Sequence, residues 1–123
     1  MRRILYAEDE FTNRRIVEVL FTSAGVHCDL VADGIRALEK ALTEEYDLII
    51  LDQYMPGHRG DVVARKIREK NREVPIVVIT SDEAEIPRLR EAGVTEVFIK
   101  PLHREDYQRI LRRYCGPSHE DDY

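Results

Sequence analysis

Residues 48–52 read Leu-Ile-Ile-Leu-Asp, four large apolar residues followed directly by a carboxylate. Apolar side chains at successive positions are typical of a strand that is buried on both faces, as in a parallel sheet. Four other short segments have the length and composition of strands; they are Ile4–Ala7, His27–Ala32, Ile76–Thr80 and Glu96–Ile99. The sequence therefore predicts a five-stranded parallel sheet in which the 48–51 strand is covered on both faces.

Helical periodicity fills the gaps between these strands. The apolar residues that recur at helical spacing are Ile16, Val17, Leu20, Phe21 and Ala24, then Ile35, Leu38 and Leu42, then Val62, Val63 and Ile67, and finally Tyr107, Ile110, Leu111 and Tyr114. Pro87 is expected in the first turn of a short fourth helix that ends at Gly93, because a proline further inside would break the helix. Strand–helix alternation with short loops predicts an α/β sandwich of three layers, with helices on both faces of the sheet.

Composition narrows the class of protein. The 123 residues carry 19 Lys and Arg against 24 Asp and Glu, a net charge of −5, and 43% of them are hydrophobic. This balance predicts one soluble domain, expected over residues 1–115, followed by a short acidic tail at 116–123. The apolar runs are too short to span a membrane, and Cys28 and Cys115 suit reduced cytoplasmic thiols. The net acidity argues against a non-specific nucleic-acid binder.

Reactive side chains stand where the predicted strands end. Glu8-Asp9-Glu10 follows the first strand and Asp52 the third, Thr80-Ser81 closes the fourth, and Lys100-Pro101 follows the fifth. In parallel sheets ligands bind beyond the carboxyl ends of the strands, so these groups are expected on one rim. Carboxylates held close together repel one another, so a hard divalent cation is their natural partner, and their oxygen ligands favour Mg²⁺. A carboxylate beside a cation, a lysine and a hydroxyl has the parts needed for phosphoryl transfer.

With these motifs the sequence resembles a response-regulator receiver domain of two-component signalling, of the kind found in stand-alone chemotaxis regulators. The resemblance covers Arg3–Tyr114, and its motifs are Ile4–Glu10, Leu48–Gly57, Ile79–Ser81, Ala92-Gly93 and Lys100–Leu102. It implies a flavodoxin-like (βα)5 fold whose parallel strands have the order 2-1-3-4-5. That fold agrees with the strand and helix pattern described above.

The resemblance implies how a phosphoryl group would be handled. Asp52 is expected to accept it from a histidine kinase or a histidine phosphotransfer protein. Thr80 and Lys100 are expected to contact the phosphoryl group, and the Lys100–Pro101 peptide bond is expected to be cis. The implied output is a change in contacts with a downstream protein target, made by a monomer or weak dimer. Such a module is a signalling switch and not an enzyme, and it touches neither nucleic acid nor membrane directly.

The resemblance also implies a Mg²⁺ site. The expected ligands are the carboxylates of Asp9 and Asp52 and the backbone carbonyl of Tyr54, with Glu8 reaching the metal through water. The acidic pair is Glu8-Asp9 where the family commonly has Asp-Asp, and a water-bridged ligand tolerates the extra methylene of Glu8. Tyr54 is bulky, and its ring is expected to shield the acyl phosphate from water and so slow its loss.

Two departures from the family pattern concern the switch itself. The aromatic residue that usually lies three positions before the lysine is replaced by Val97, and the nearest aromatic is Phe98. Successive strand residues face opposite sides of a sheet, so Phe98 is not expected to take over the role of the switch ring. Thr80 and Lys100 are also closer in sequence than expected, which agrees with a short or displaced fourth helix at Pro87.

Alternative classes fit the sequence less well. A phosphatase of the haloacid-dehalogenase type needs a second Asp two residues after the nucleophile and then a Thr, and Tyr54 and Pro56 stand at those places. A flavin-binding module would need a glycine- and hydroxyl-rich phosphate loop after the first strand, where the acids Glu8–Glu10 would repel phosphate. The sequence favours a stand-alone regulator. The alternative is a receiver excised from a hybrid histidine kinase or from a multidomain DNA-binding response regulator.

Overall fold

A computed structural model of the chain describes residues 1–116. Within these residues, strands and α-helices alternate in five pairs. The strands are β1 (Arg3–Ala7), β2 (His27–Val31), β3 (Leu48–Asp52), β4 (Ile76–Thr80) and β5 (Glu96–Ile99). The helices are α1 (Phe11–Ser23), α2 (Gly34–Thr43), α3 (Gly60–Arg68), α4 (Ile86–Glu91) and α5 (Arg104–Cys115). The predicted acidic tail lies outside the described residues from position 117 onward.

The five strands form one parallel sheet in the order β2-β1-β3-β4-β5. This order confirms the predicted flavodoxin-like (βα)5 architecture. Every residue of β3 and β4 is buried, as the continuous apolar runs predicted. Among the described residues, no helix is both long and apolar enough to cross a membrane.

Two apolar cores cover the two faces of the sheet. On one face α1 and α5 pack against β1, β3 and β4, with Val17, Phe21 and Ile110 almost completely buried. On the other face α2, α3 and α4 supply the core through residues such as Ala37 and Leu89. Because both faces are covered by helices, polar chemistry is confined to the edges of the sheet.

Strand β5 presents Val97 and Phe98 to opposite cores. Phe98 is buried in the core beneath α1 and α5, whereas Val97 packs against the core beneath α2, α3 and α4. The sequence prediction that these two residues face opposite sides is therefore confirmed. The aromatic ring of Phe98 does not lie on the side of the sheet where Val97 has replaced the usual aromatic.

Helix α4 is short. It spans Ile86–Glu91, with Pro87 in its first turn, and is preceded by a 3₁₀ turn at Glu83–Glu85. Gly93 follows with φ +94, a conformation that side chains other than glycine rarely adopt. The predicted short fourth helix is thus confirmed, since the proline occupies the one part of a helix where its missing N–H costs nothing.

Candidate functional site

The carboxyl ends of β1, β3, β4 and β5 lie side by side along one edge of the sheet. The register pairs Ala7 with Leu51 and Thr80 with Ile99, so the residues that follow β1 and β5 emerge level with the end of β3. The residues that meet at this edge, as their positions at or just beyond the strand ends predicted, are Glu8, Asp9, Asp52, Thr80 and Lys100.

Three carboxylates form an acidic cluster here. One oxygen from each of Glu8, Asp9 and Asp52 lies within 4.8 Å of the other two. Glu8 and Asp52 are buried, whereas Asp9 is exposed. Burial raises the pKa of Glu8 to about 7, against the effect of the Glu10 N–H, which donates a 3.1 Å hydrogen bond to it. The charge of Asp52 adds to the rise.

Lys100 partly neutralises this cluster. Its Nζ lies 3.0 Å from Oδ1 and 3.2 Å from Oδ2 of Asp52. Burial raises the pKa of Asp52, and the lysine opposes that rise; burial lowers the pKa of Lys100, but Asp52 outweighs this and raises it overall. The Lys100–Pro101 peptide bond is cis, as expected. A hydrogen bond from the Lys100 N–H to the Thr80 carbonyl (2.9 Å) ties the two strand ends together.

The donor set at this edge fits a hard divalent cation. Among residues 1–116, three carboxylates of the cluster lie beside the ammonium group of Lys100, so a negative charge remains when all four groups are ionised. Carboxylate oxygens are the ligands that Mg²⁺ prefers, and the exposure of Asp9 leaves room for the water molecules that Mg²⁺ retains. The raised pKa of Glu8 agrees with this description, because burial and then the neighbouring carboxylate of Asp52 disfavour its ionised form.

Thr80 makes a contact that the sequence did not indicate. Its hydroxyl is buried and donates a 2.7 Å hydrogen bond to Oε1 of Glu85 in the 3₁₀ turn. Glu85 is itself buried, and it also accepts hydrogen bonds from the Tyr54 hydroxyl and from Arg88 (2.8 Å). We call Tyr54, Thr80, Glu85 and Arg88 the Glu85 cluster. No sequence signal could have placed Glu85 beside Thr80, because their contact depends on the 3₁₀ turn.

The sequence also did not predict a second polar contact, which joins Gln53, the residue after Asp52, to Asp61 in α3. Gln53 and Asp61 are both buried, and the Gln53 amide donates to Asp61 Oδ1 (3.2 Å) while the Asp61 N–H donates to Gln53 Oε1 (3.0 Å). Arg88 Nε lies 3.8 Å from the other Asp61 oxygen. The Gln53–Asp61 pair holds together the two ends of the loop between β3 and α3. The contact of Asp61 with Arg88 connects that loop to the Glu85 cluster.

Tyr54 lies two residues beyond Asp52, on the same loop. Its ring is half exposed, and its hydroxyl is held by Glu85. The hydrogen bond ties the ring to the 3₁₀ turn that follows β4. Its predicted main-chain contact with a metal stays a prediction.

A parallel (βα)5 sheet with a buried aspartate, two further acids and a lysine at its carboxyl edge defines a class of phospho-accepting signalling domain. The family model described as "Response regulator receiver domain" matches residues 4–112. The chain belongs to that family. Receiver domains are signalling switches and not classical enzymes, and the acidic cluster of Glu8, Asp9 and Asp52 lies at the site expected for phosphorylation.

Three similar proteins illustrate the range of the family. The chain is 38% identical to the transcriptional activator protein IrlR of Burkholderia pseudomallei, over 90% of this chain and 48% of that protein. It is 34% identical to hybrid signal transduction histidine kinase G of Dictyostelium discoideum, over 94% of this chain and 4% of the kinase. Among solved structures, the receiver domain of a sensor histidine kinase from Pseudomonas aeruginosa, with a magnesium ion in its active-site cleft, is 34% identical, with a TM-score of 0.84 and coverage of 94% and 98%.

The length covered differs between these comparisons. The chain spans about half the length of curated transcriptional regulators that it matches and a small fraction of the hybrid kinase. It spans nearly all of the solved receiver domain. The shared unit is therefore the receiver domain itself.

Proposed function

We propose that Asp52 accepts a phosphoryl group from a histidine kinase or a histidine phosphotransfer protein, with Mg²⁺ bound at the acidic cluster. The observation that carries the proposal is the position of Asp52, which is buried, lies within 4.8 Å of two further carboxylates, and is 3.0 Å from Lys100. Mg²⁺ in the active-site cleft of the similar Pseudomonas aeruginosa receiver supports the choice of metal.

Four residues would hold the metal. Asp9 and Asp52 supply carboxylate oxygens, Tyr54 supplies its backbone carbonyl, and Glu8 contributes through a water molecule. Bound Mg²⁺ would neutralise the phosphoryl oxygens and the charge of the carboxylates. This set agrees with the residual negative charge of the cluster and with the exposure of Asp9.

The transfer step follows from the geometry at Asp52. A carboxylate oxygen of Asp52 forms a bond to phosphorus as the bond from phosphorus to the donor's leaving atom breaks, and the leaving group departs with that electron pair. The Lys100 ammonium, already beside Asp52, then donates a hydrogen bond to a phosphoryl oxygen. The Thr80 hydroxyl donates to another phosphoryl oxygen. The product is an acyl phosphate on Asp52.

We propose that the chain works as a stand-alone regulator in the cytoplasm, with residues 1–115 as the receiver domain. It acts on a downstream protein target as a monomer or weak dimer and does not contact nucleic acid directly. The alternative, supported by the similarity to a hybrid kinase and to transcriptional regulators, is a receiver within a longer protein. An immunoblot of the source cells distinguishes the two. A band at 14.4 kDa supports the stand-alone regulator, and a larger band supports the alternative.

The phosphorylation proposal is tested by intact-mass measurement. The chain is incubated with Mg²⁺ and acetyl phosphate, and the expected result is a gain of one phosphoryl group that disappears when EDTA replaces Mg²⁺. Asp52→Asn is expected to abolish the gain, while Asp33→Asn, on the loop before α2, serves as the matched control and retains it. A gain that persists in Asp52→Asn would contradict the assignment of the acceptor.

A further inference from the structure

The hydroxyl of Thr80 has one hydrogen, and this hydrogen is already committed. It is donated to Glu85 at 2.7 Å, while the Thr80 oxygen accepts a 3.3 Å hydrogen bond from the Asp82 N–H. A threonine hydroxyl is a single donor, so it cannot serve Glu85 and a phosphoryl oxygen at the same time. The proposed contact of Thr80 with the phosphoryl group therefore requires its hydrogen bond to Glu85 to break.

Losing the hydrogen bond from Thr80 is costly for Glu85, because its carboxylate is buried. Its side chain is only 8% exposed, and its other hydrogen bonds come from Arg88 and the Tyr54 hydroxyl. A buried carboxylate that loses a donor pays a desolvation cost unless its surroundings rearrange. Glu85 ends the 3₁₀ turn and directly precedes α4, so such a rearrangement moves the start of that helix.

Within the part of the chain that the structure describes, β5 places no aromatic side chain at the position of the usual switch ring. Val97 stands where the ring would be, and the ring of Phe98 is buried on the opposite face. By contrast, the Glu85 cluster makes a continuous polar path. It runs from Thr80 through Glu85 to Arg88, whose Nε lies 3.8 Å from Asp61.

We propose that Glu85 is a positioning residue that competes with the phosphoryl group for the Thr80 hydroxyl, so that phosphorylation of Asp52 releases the 3₁₀ turn and α4. This inference rests on the proposed function. In the unphosphorylated chain Glu85 holds the hydroxyl away from the site, and in the phosphorylated chain Glu85 keeps only Arg88 and Tyr54. The carboxylate thus takes the place of the aromatic ring as the link between site and surface.

The first experiment compares Glu85→Gln with Glu83→Gln. Both changes remove one negative charge from the same 3₁₀ turn, but the Glu83 side chain is exposed, so it is the matched control. The probe is beryllofluoride with Mg²⁺, titrated while the backbone NMR signals of the site are followed. Glu85→Gln keeps an oxygen that can accept from Thr80 but makes that acceptor neutral, so it competes less well for the hydroxyl. It is expected to bind about fivefold more tightly than wild type, the factor that separates a hydrogen bond to a charged group from an ordinary one. Glu83→Gln is expected to match wild type, and equal affinities for all three chains would overturn the proposal.

The second experiment separates competition for the hydroxyl from simple removal of charge. Thr80→Val keeps the shape of the side chain and removes the hydrogen for which Glu85 competes. In the Thr80→Val background, Glu85→Gln is expected to change the affinity for beryllofluoride by less than about twofold. If the full gain persists without the hydroxyl, the effect of Glu85 is electrostatic and the proposed competition is wrong.

A measurement on the wild-type chain needs no variant and so does not depend on how the variants fold. The ¹³C signal of the Glu85 carboxylate is followed as beryllofluoride and Mg²⁺ are added, with the exposed Glu39 of α2 as the internal reference. The Glu85 signal is expected to move together with the amides of Ile86 and residues 88–91, while the Glu39 signal stays in place. Binding seen at the Asp52 amide without a change at Glu85 overturns this inference alone, whereas no binding at Asp52 overturns the inference together with the proposed function.

Discussion

The substitution Glu8→Gln tests the electrostatic description of the acidic cluster. In the absence of metal, Glu8 is buried beside Asp52, and burial is the main reason its pKa rises to about 7. A glutamine oxygen can still accept the hydrogen bond from the Glu10 N–H, so the change removes the charge and keeps the local geometry. We therefore expect the metal-free variant to be more stable than wild type at high pH.

The expected magnitude follows from the pKa. A rise from the ordinary value of 4.5 to about 7 corresponds to about 3 kcal/mol against the ionised carboxylate. Because Asp9 is exposed and the site opens to solvent, screening reduces this figure to about 1–2 kcal/mol. A raised carboxyl pKa favours the protonated folded state, so wild-type stability is lost as the pH rises from about 4.5 to about 7. The advantage of the variant should grow over the same interval.

Urea unfolding followed by circular dichroism measures the difference. The free energy of unfolding is determined with EDTA at a pH below 4.5 and at a pH above 7, and again above pH 7 with saturating Mg²⁺. The control is Glu10→Gln, which removes the same charge from an exposed side chain that bonds Asn13 at 2.8 Å. Mg²⁺ should shrink the advantage of Glu8→Gln, because a bound cation offsets the cost of ionised Glu8.

Two results would refute this reasoning. One is an equal gain in stability from Glu10→Gln, which would reflect the net charge of the chain and not the buried cluster. The other is a gain from Glu8→Gln that does not change with pH, which would show that Glu8 is ionised at no cost in the folded chain.

Three further predictions concern the loop after β3 and the core. Tyr54→Ala should lose the phosphoryl group from Asp52 severalfold faster than Tyr54→Phe in a mass time course, because the ring shields the acyl phosphate; equal half-lives would contradict this. Gly34→Ala should lower the free energy of unfolding by about 2–3 kcal/mol, since its Cβ would lie 2.1 Å from the His58 carbonyl oxygen. Phe98→Ala should cost about 3 kcal/mol and Val97→Ala less, by urea unfolding, and the reverse order would show that Phe98 is not the better packed residue.

Much of the fold could be predicted because its signals are local. The continuous apolar runs of β3 and β4 indicated strands buried on both faces, and helical periodicity between the strands implied helices on both sides of the sheet. Pro87 placed the start of α4, since a proline is tolerated only in the first turn. The strand order itself came from the family resemblance and is confirmed by the pairing of the strands.

The candidate site was predictable where its residues end strands or directly follow them. Asp52 is the last residue of β3 and Lys100 directly follows β5, and parallel strands end at one edge, so their meeting followed from the strand pattern. Glu85 was not predictable by the same route. It lies five residues past β4, and only the 3₁₀ turn brings its carboxylate back to Thr80.

Sequence and tertiary structure thus contributed different parts of this description. Residue order alone indicated a parallel α/β domain with acids, a hydroxyl and a lysine at its strand ends, because backbone periodicity and the common direction of the strands place those groups together. Only the folded chain shows which acceptor holds the Thr80 hydrogen, that Gln53 and Asp61 pair behind Asp52, and that Glu8 is buried enough to shift its pKa. These properties depend on distances of a few ångströms between loops and on the exclusion of water, and local sequence patterns carry no information about either.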